Sequence, residues 1–304
     1  MELDPQQFGT DHGRLRRNRL IAIALMCSAL ACFSCLDATA KYLVGYMDSL
    51  QVVWARYTSA FLLALLFYNP ISHPRLLRTK RPWLQIGRSA LLLLSTAFNF
   101  FAIRWLQLDE ALSILFATPF IVAALAGPLL GEWIGWRRWL AILVGFSGVL
   151  LVTRPGAGGI HPAAILSFGS ALCYALYVIA TRVLSRYDTT ETTLFYSNLV
   201  GAVAMLPILF FVWTPPQSWL IVLLMVVVGA FGSLGHFLLI AGHRLAPASV
   251  LAPFIYTQII WTSGLGFIVF SDVPNHWTIA GGAIVIASGL YLLSRERKVG
   301  ARKS

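Results

Sequence analysis

Apolar runs of about 20 residues follow one another along nearly the whole chain, separated by short polar stretches. A helix of about 20 residues is roughly 30 Å long, which is the thickness of the hydrocarbon core of a bilayer. The runs are continuous, whereas the strands of a membrane barrel would alternate between polar and apolar residues. The pattern therefore predicts an all-α polytopic membrane protein.

Ten transmembrane helices are predicted, with a margin of about 2–4 residues at each boundary. They are placed at residues 20–40, 51–68, 84–104, 111–131, 137–153, 163–183, 192–213, 218–241, 248–270 and 277–294. The chain then divides into a polar N-terminal tail, a first five-helix unit, a second five-helix unit and a polar C-terminal tail: residues 1–19, 20–154, 155–294 and 295–304.

The composition agrees with a membrane protein, since 58% of residues are apolar and only 12% are charged. The basic residues predict the orientation, because cytoplasmic loops carry an excess of Lys and Arg. With both tails cytoplasmic, Lys41, Arg104 and Arg154 fall outside and Arg56 lies within a span. All other basic residues, including Arg88, fall on the inner side. We therefore expect a plasma (inner) membrane protein, whose net charge of +11 reflects topology and no nucleic-acid partner.

An internal repeat relates the two units. The motif Ser-Ala-Leu followed seven residues later by Ala-Thr occurs at Ser28–Thr39 and again at Ser170–Thr181, 142 residues further on. Near the unit ends, Trp and Gly are twelve residues apart in both copies. Five is an odd number of spans, so the second unit enters the membrane from the opposite side. Two inverted five-helix repeats are typical of transporters, whose substrate site lies near the midplane between the halves.

The segment 111–154, ALSILFATPFIVAALAGPLLGEWIGWRRWLAILVGFSGVLLVTR, resembles the EamA branch of the drug/metabolite transporter superfamily. The features that carry the resemblance are a proline in the fourth span, a Gly-Glu pair at its end and two glycines in the fifth span: Pro119, Gly131-Glu132, Gly145 and Gly148. The arginine early in the second span, Arg56, also matches, and the likeness extends over residues 20–294.

The second copy departs from that pattern in three places: Ser271-Asp272 replaces Gly-Glu, Ile286 replaces the first glycine, and Pro253 is additional. The resemblance implies a ten-helix exporter of small metabolites, often amino acids. In overall likeness the chain is most similar to the aromatic amino-acid exporters of that branch.

Polar side chains within the predicted spans are candidates for a substrate pathway, because such groups are costly to expose to lipid. Aromatic side chains within the spans are candidates because they can enclose a large apolar group of a substrate. They are Asp37, Arg56, Asn99, Tyr174, Tyr177, Asn198, His236, Tyr256, Gln258 and Trp261. Asn99 and His236 occupy equivalent positions of the two repeats, and so do Arg56 and Asn198.

Each candidate also has a structural interpretation that the sequence leaves open. Asp37 lies near the outer end of its span and can face the interface or pair with Arg56. His236 can be a packed core histidine, although as the only midspan histidine it is also the natural group to titrate between about pH 5 and 8. The aromatic residues can belong to the belt at the membrane surface.

Prolines and glycines within the spans predict either hinges or close helix packing. They are Pro119, Pro253, Gly229, Gly232 and Gly235. Glu132, at a predicted helix end, is expected to be structural.

Four other interpretations are weighed against an alternating-access transporter. Cys32 and Cys35 form a Cys-x-x-Cys pair, but too few further ligands accompany them for zinc, so no metal and no cofactor is predicted. A lipoprotein box at Ala29–Cys32 is disfavoured because a similar motif, Ser-Ala-Leu-Cys, recurs within the chain at Ser170–Cys173. The stretch Gly145–Gly148 has the form of a rhomboid-type serine protease motif, with Ser147 as nucleophile and His236 or His243 as candidate base. A channel or facilitator for small solutes is the remaining alternative to an alternating-access carrier of amino acids, aromatic ones included.

Overall fold

The computed structural model describes residues 5–67, 74–131, 135–153, 161–246 and 251–300. Within these ranges all regular secondary structure is helical. Glu132 and Arg154, for which predictions were made above, lie outside the described residues, as does the side chain of Pro253.

The first half of the chain contains six described α-helices. They are α1 (Pro5–Leu43), α2 (Ser49–Phe67), α3 (Pro82–Ile103), α4 (Leu108–Leu115), α5 (Thr118–Leu130) and α6 (Trp136–Thr153), with a short 3-10 helix at Pro74–Leu77 between α2 and α3. The second half contains α7 (Pro162–Leu184), α8 (Thr190–Val212), α9 (Trp219–Leu245), a 3-10 helix at Ala252–Thr257, α10 (Gln258–Phe270) and α11 (His276–Gly300).

The membrane character of these helices is confirmed. Seven segments of the described chain are long and apolar enough to cross a bilayer, and shorter apolar helices cover Trp139–Val152 and Phe254–Phe270. The count of ten transmembrane helices stays a prediction.

Four of the predicted spans differ from the described helices. The ninth contains a 3-10 helix at Ala252–Thr257 before α10, and α11 continues to Gly300, beyond the predicted end at residue 294. α1 begins at Pro5, well before the predicted start at residue 20, so the polar tail continues the helix. The fourth predicted span is two helices, because the chain makes a turn at Phe116 and Ala117 between α4 and α5. Pro119 at the second position of α5 has no backbone N–H to donate and restricts the residue before it, which favours a new helix start here.

The helices α5 and α10 end in the same way. Each has 13 residues, and each is followed by a residue with positive φ: Gly131 at 72° and Ser271 at 57°. The backbone N–H of Gly131 donates to the carbonyl of Gly127, and that of Ser271 donates to the carbonyl of Phe267. The sequence predicts these two ends to be equivalent, and their backbones match although their residues differ.

The packing of helices follows the same correspondence between halves. α1 packs against α9, and the counterpart pair α7 and α3 also pack together. α2 contacts α8, and α6 contacts α11. In both pairs a helix of the first half packs against the equivalent helix of the second half. The largest helix interfaces therefore join one half to the other, and an inverted pair of repeats would produce this pattern.

Glycines allow the closest of these approaches. A Cβ atom on Gly148 of α6 would lie 2.8 Å from the carbonyl oxygen of Gly281 in α11. A Cβ atom on Gly229 of α9 would lie 2.6 Å from the backbone nitrogen of Ala60 in α2. Both distances are shorter than real Cβ contacts, so larger residues would force these helices apart.

Candidate functional site

The first element of the site is a hydrogen bond between α1 and α3. The Nδ2 of Asn99 donates to the Oδ1 of Asp37 at 3.1 Å. Both side chains are only half-buried, so Asp37 is neither fully packed nor freely exposed at an interface. Asp37 also lies close enough to Arg56 for their charges to interact.

Arg56 places a guanidinium group beside this carboxylate. Its side chain is 9% exposed, and it stacks on the ring of Tyr57 at 4.5 Å. Its hydrogen bond to the hydroxyl of Thr96 is long, at 3.4 Å, and its Nε has no hydrogen-bond partner among the described residues. The charge of Arg56 is thus held in place with part of its donor capacity unused.

His236 of α9 lies next to this pair of charges. Its ring meets the ring of Phe33 edge-on, with centroids 5.1 Å apart. It interacts electrostatically with Arg56, and it forms no hydrogen bond with a described residue. The histidine therefore packs on Phe33 and does not donate to a helix carbonyl of the described residues.

Two stacked tyrosines form the wall contributed by α7. The rings of Tyr174 and Tyr177 are 5.4 Å apart at an interplanar angle of 26°. Tyr174 is half-buried and lies within the electrostatic range of Arg56, whereas Tyr177 is buried. A flat ring on the open side of Tyr174 would extend this stack.

Arg88 was predicted only to lie on the inner side and was not among the candidate site residues. The structure places Arg88 inside α3, with only 2% of it exposed. It donates from Nη2 to the hydroxyl of Tyr177 at 2.7 Å and from Nε to the hydroxyl of Thr181 at 2.7 Å. It belongs to the polar face of α3 that also carries Thr96 and Asn99.

Four other predicted residues lie apart from this cluster or without a contact to it. Tyr256 packs against Phe116, with ring centroids 5.2 Å apart, and lies under Gly289. Trp261 is 45% exposed. Asn198 and Gln258 are half-buried and form no hydrogen bond with a described residue.

The predicted glycines of α9 lie against α1 and α2. A Cβ atom on Gly235 would lie 2.7 Å from the ring of Phe33, and one on Gly232 would lie 3.9 Å from the Nε of Arg56. Gly232 thus brings the backbone of α9 close to the guanidinium group. Pro119 lies in the first turn of α5, and Pro253 lies in the 3-10 helix before α10.

The arrangement is suited to hold a molecule with groups of both charges. Asp37, Tyr174 and His236 lie among packed helices, yet each of these residues is only half-buried. Buried charges in a membrane protein are costly unless paired or solvated. A ligand that brings a carboxylate and an ammonium group would satisfy both Arg56 and Asp37.

The comparison with known families decides the class of protein. The model of the EamA-like transporter family matches residues 20–154 and again residues 161–295. The chain belongs to this family. The two matches also confirm that the chain consists of two repeats.

The names of curated relatives of this EamA-like transporter give several different substrates. It is 28% identical to an S-adenosylmethionine uptake transporter of Rickettsia felis, over 93% of this chain and 96% of that protein. It is 24% identical to a riboflavin transporter of Vibrio cholerae, over 93% and 95%, and 26% identical to a pseudopaline exporter of Pseudomonas aeruginosa, over 88% and 93%. The expected likeness to aromatic amino-acid exporters is not what these names show.

A solved crystal structure resembles this EamA-like transporter in fold. The two align with a TM-score of 0.62 over 91% of this chain and 98% of the other, at 17% identity. An identity this low shows the fold alone.

Members of the family are transporters and not enzymes, so the serine protease alternative is wrong. In this EamA-like transporter Ser147 is exposed on α6, and its hydroxyl donates to the carbonyl of Val144 at 2.7 Å. His243, a candidate base, contacts the carbonyl of Leu239 instead. Cys32 and Cys35 are free thiols.

Proposed function

We propose that this EamA-like transporter carries a small metabolite with an α-amino acid group and a flat ring, aromatic amino acids included, by alternating access. Net movement outward, which the family resemblance implies, is part of the proposal. The relatives named above include both an uptake transporter and an exporter.

The observation that carries the proposal is the arrangement of Asp37 and Arg56. The two charges influence each other, yet the described contacts of Asp37 include Asn99 and no ion pair with Arg56. Arg56 keeps an unpartnered Nε. An amino acid presents an ammonium group and a carboxylate, so it can occupy both positions and compensate two charges that are otherwise costly to bury.

The aromatic part of the substrate would lie against the tyrosine wall. Tyr174 and Tyr177 are already stacked, and Tyr174 keeps an accessible side. Aromatic pairs prefer offset or edge-on contacts of this kind. Among the relatives, S-adenosylmethionine and riboflavin both contain flat ring systems, and S-adenosylmethionine also contains an amino acid group.

Alternating access is supported by the presence of two equivalent helix interfaces, each of which joins one half of the chain to the other. The interfaces α1–α9 and α3–α7 are counterparts, so a movement that loosens one and tightens the other exchanges equivalent arrangements. The substrate cluster lies between these interfaces, since Asp37 is on α1, Asn99 on α3, Tyr174 on α7 and His236 on α9.

Counterflow in proteoliposomes tests the proposal. Vesicles loaded with phenylalanine should accumulate labelled phenylalanine transiently and with saturation. Asp37→Asn and Arg56→Gln should each lower the initial rate at least about tenfold, since each removes a charge-assisted hydrogen bond worth roughly 1.5–3 kcal/mol. Arg104→Gln, which removes an exposed arginine at the end of α3, is the matched control and should stay within about twofold.

Two results would contradict the proposal. Flux that grows linearly with concentration and shows no counterflow would indicate a channel or facilitator. Wild-type rates in folded Asp37→Asn and Arg56→Gln proteins would show that the substrate binds elsewhere. Gel filtration of each purified variant separates loss of binding from loss of folding.

A further inference from the structure

Arg88 is a fully buried cation whose donors are almost all used. Besides the hydroxyls of Tyr177 and Thr181, its Nη1 donates to the hydroxyl of Ser197 at 2.8 Å and to the carbonyl of Thr193 at 3.2 Å. The guanidinium carbon lies 4.4 Å from the centre of the Tyr177 ring. The group is therefore rigid, and arginine remains charged under all ordinary conditions.

The partners of Arg88 are all neutral. The described groups that act on it are hydroxyls, a backbone carbonyl and tyrosine rings, and no carboxylate is among them. In most proteins a buried arginine pairs with an acid, because an uncompensated buried charge is costly. Here the positive charge is retained by dipoles alone.

The field of Arg88 reaches the candidate substrate site. Arg88 donates to the hydroxyl of Tyr177, and the ring of Tyr177 stacks on that of Tyr174 with the centroids 5.4 Å apart. The charges of Arg88 and Arg56 both act on Tyr174 and on His236. The described charges around this space are thus two guanidinium groups and the single carboxylate of Asp37. Even with Asp37 ionised, the site carries an excess of positive charge.

We propose that Arg88 determines charge specificity: its fixed positive charge excludes substrates with a net positive charge and favours neutral zwitterionic or anionic ones. This inference rests on the proposed function and narrows its substrate class. The amino acid group of a substrate is neutralised by Asp37 and Arg56 together. Any further charge on the substrate then meets the unpaired field of Arg88, which repels cations and attracts anions.

The proposal makes a prediction about S-adenosylmethionine, which the names of several relatives give as their substrate. S-adenosylmethionine carries a sulfonium charge in addition to its amino acid group. A site with the excess positive charge described here disfavours it relative to a neutral amino acid with a ring of similar size.

The test uses three analogues of similar shape: phenylalanine, 4-carboxyphenylalanine and 4-aminomethylphenylalanine. Each competes with labelled phenylalanine in counterflow, and each is also assayed by thermal stabilisation of the purified protein in detergent. In the wild type, the cationic analogue should bind more weakly than phenylalanine by a factor on the order of ten, and the anionic analogue at least as well as phenylalanine.

Variants at position 88 test whether Arg88 is the cause of this order of analogue binding. Arg88→Gln removes the charge and should reduce the discrimination against the cationic analogue to within about threefold. Arg88→Lys retains the charge and should preserve the wild-type order, even if affinities fall. Arg104→Gln removes a charge outside the site and should leave the order unchanged.

A wild-type protein that binds the cationic analogue as well as phenylalanine would overturn the inference, and so would an unchanged order in folded Arg88→Gln. The wild-type result stands even if Arg88→Gln does not fold. Failure of the proposed function looks different, because then no analogue stabilises the protein or drives counterflow.

Discussion

Lys41 and Asp272, which lie in different halves of the chain, form an ion pair with 2.7 Å between the Nζ and Oδ2 atoms. Their side chains are only 15% and 21% exposed. Lys41 also donates to the carbonyl of Leu106 at 3.1 Å and lies over the ring of Phe270 at 4.9 Å. One ammonium group thus joins the end of α1, the turn after α3 and the end of α10.

Removing either partner of this pair should destabilise the folded protein. A double-mutant cycle with Lys41→Gln and Asp272→Asn should give a coupling energy of about 1–3 kcal/mol, because the charge left behind is mostly buried. The cycle is measured by thermal or denaturant unfolding in detergent. The exposed pair Arg244 and Glu191, with side chains 69% and 37% exposed, is the control and should give about 0–1 kcal/mol. Additive effects of the two substitutions would contradict the prediction.

Replacing Gly148 by alanine should loosen the contact between α6 and α11. The new Cβ would lie 2.8 Å from the carbonyl oxygen of Gly281, and backbone atoms cannot move aside as a side chain can. We expect a loss of stability of about 1–3 kcal/mol. Gly264→Ala in α10 is the control, because no atom lies within 4 Å of its Cβ position. That variant should be neutral or more stable by up to about 1 kcal/mol. Equal unfolding temperatures for the two variants would contradict the packing interpretation.

Asn99→Leu should weaken substrate binding, because it removes the amide that orients the Asp37 carboxylate. A hydrogen bond to a charged group contributes roughly 1.5–3 kcal/mol, so KM for counterflow should rise by about tenfold or more. Asn275→Ala is the control. The Oδ1 of Asn275 accepts from the backbone of Thr278 at the start of α11, at 2.9 Å, so its loss should lower stability by about 1 kcal/mol and leave KM unchanged. An unchanged KM in folded Asn99→Leu would remove the asparagine from the site.

Substitution of Tyr174, but not of the exposed Trp261, should weaken the binding of aromatic substrates. Tyr174→Leu removes the open member of the stacked pair and should raise KM for aromatic substrates by several-fold. Trp261→Leu changes a side chain that is 45% exposed and should leave KM within about twofold. Competition with an aliphatic amino acid in both variants shows whether the effect follows the ring. A larger effect from Trp261 would move the substrate to the α10 side.

Sequence patterns predicted the two repeats, and they also selected the residues from which the candidate site is proposed. The family match confirms the two repeats, and the apolar runs correspond to the long described helices. Asp37, Arg56, Asn99, Tyr174 and His236 lie near one another because a polar residue in an apolar span tends to face other protein groups.

Arg88 was missed for a specific physical reason. It lies six residues after Pro82, within the margin where basic residues are normally assigned to a cytoplasmic loop. A signal was present nevertheless, because the polar residues of α3 recur with helical spacing on one face: Gln85, Arg88, Ser89, Thr96 and Asn99. A polar face within an apolar helix indicates contact with other polar groups.

Trp261 is the reverse case, because it was included among the candidate residues and yet lies apart from the cluster. Its depth along the predicted span was known, but the rotation of the helix about its own axis was not. That rotation depends on which helices pack on α10, and it leaves 45% of Trp261 exposed. Tyr174, at a comparable depth in its own span, faces inward because α3 packs on α7.

The left-handed turns at Gly131 and Ser271 have a consequence for how the halves have diverged. Serine is strained at a φ of 57°, where glycine is not, by about 1 kcal/mol. The second half therefore has a left-handed turn that serine disfavours. The path of the main chain is the same at these equivalent positions of the two halves, although the residue types differ. Asp272, the residue after that turn, is the anchor for the lysine of the first half, so the altered position now serves to hold the two halves together.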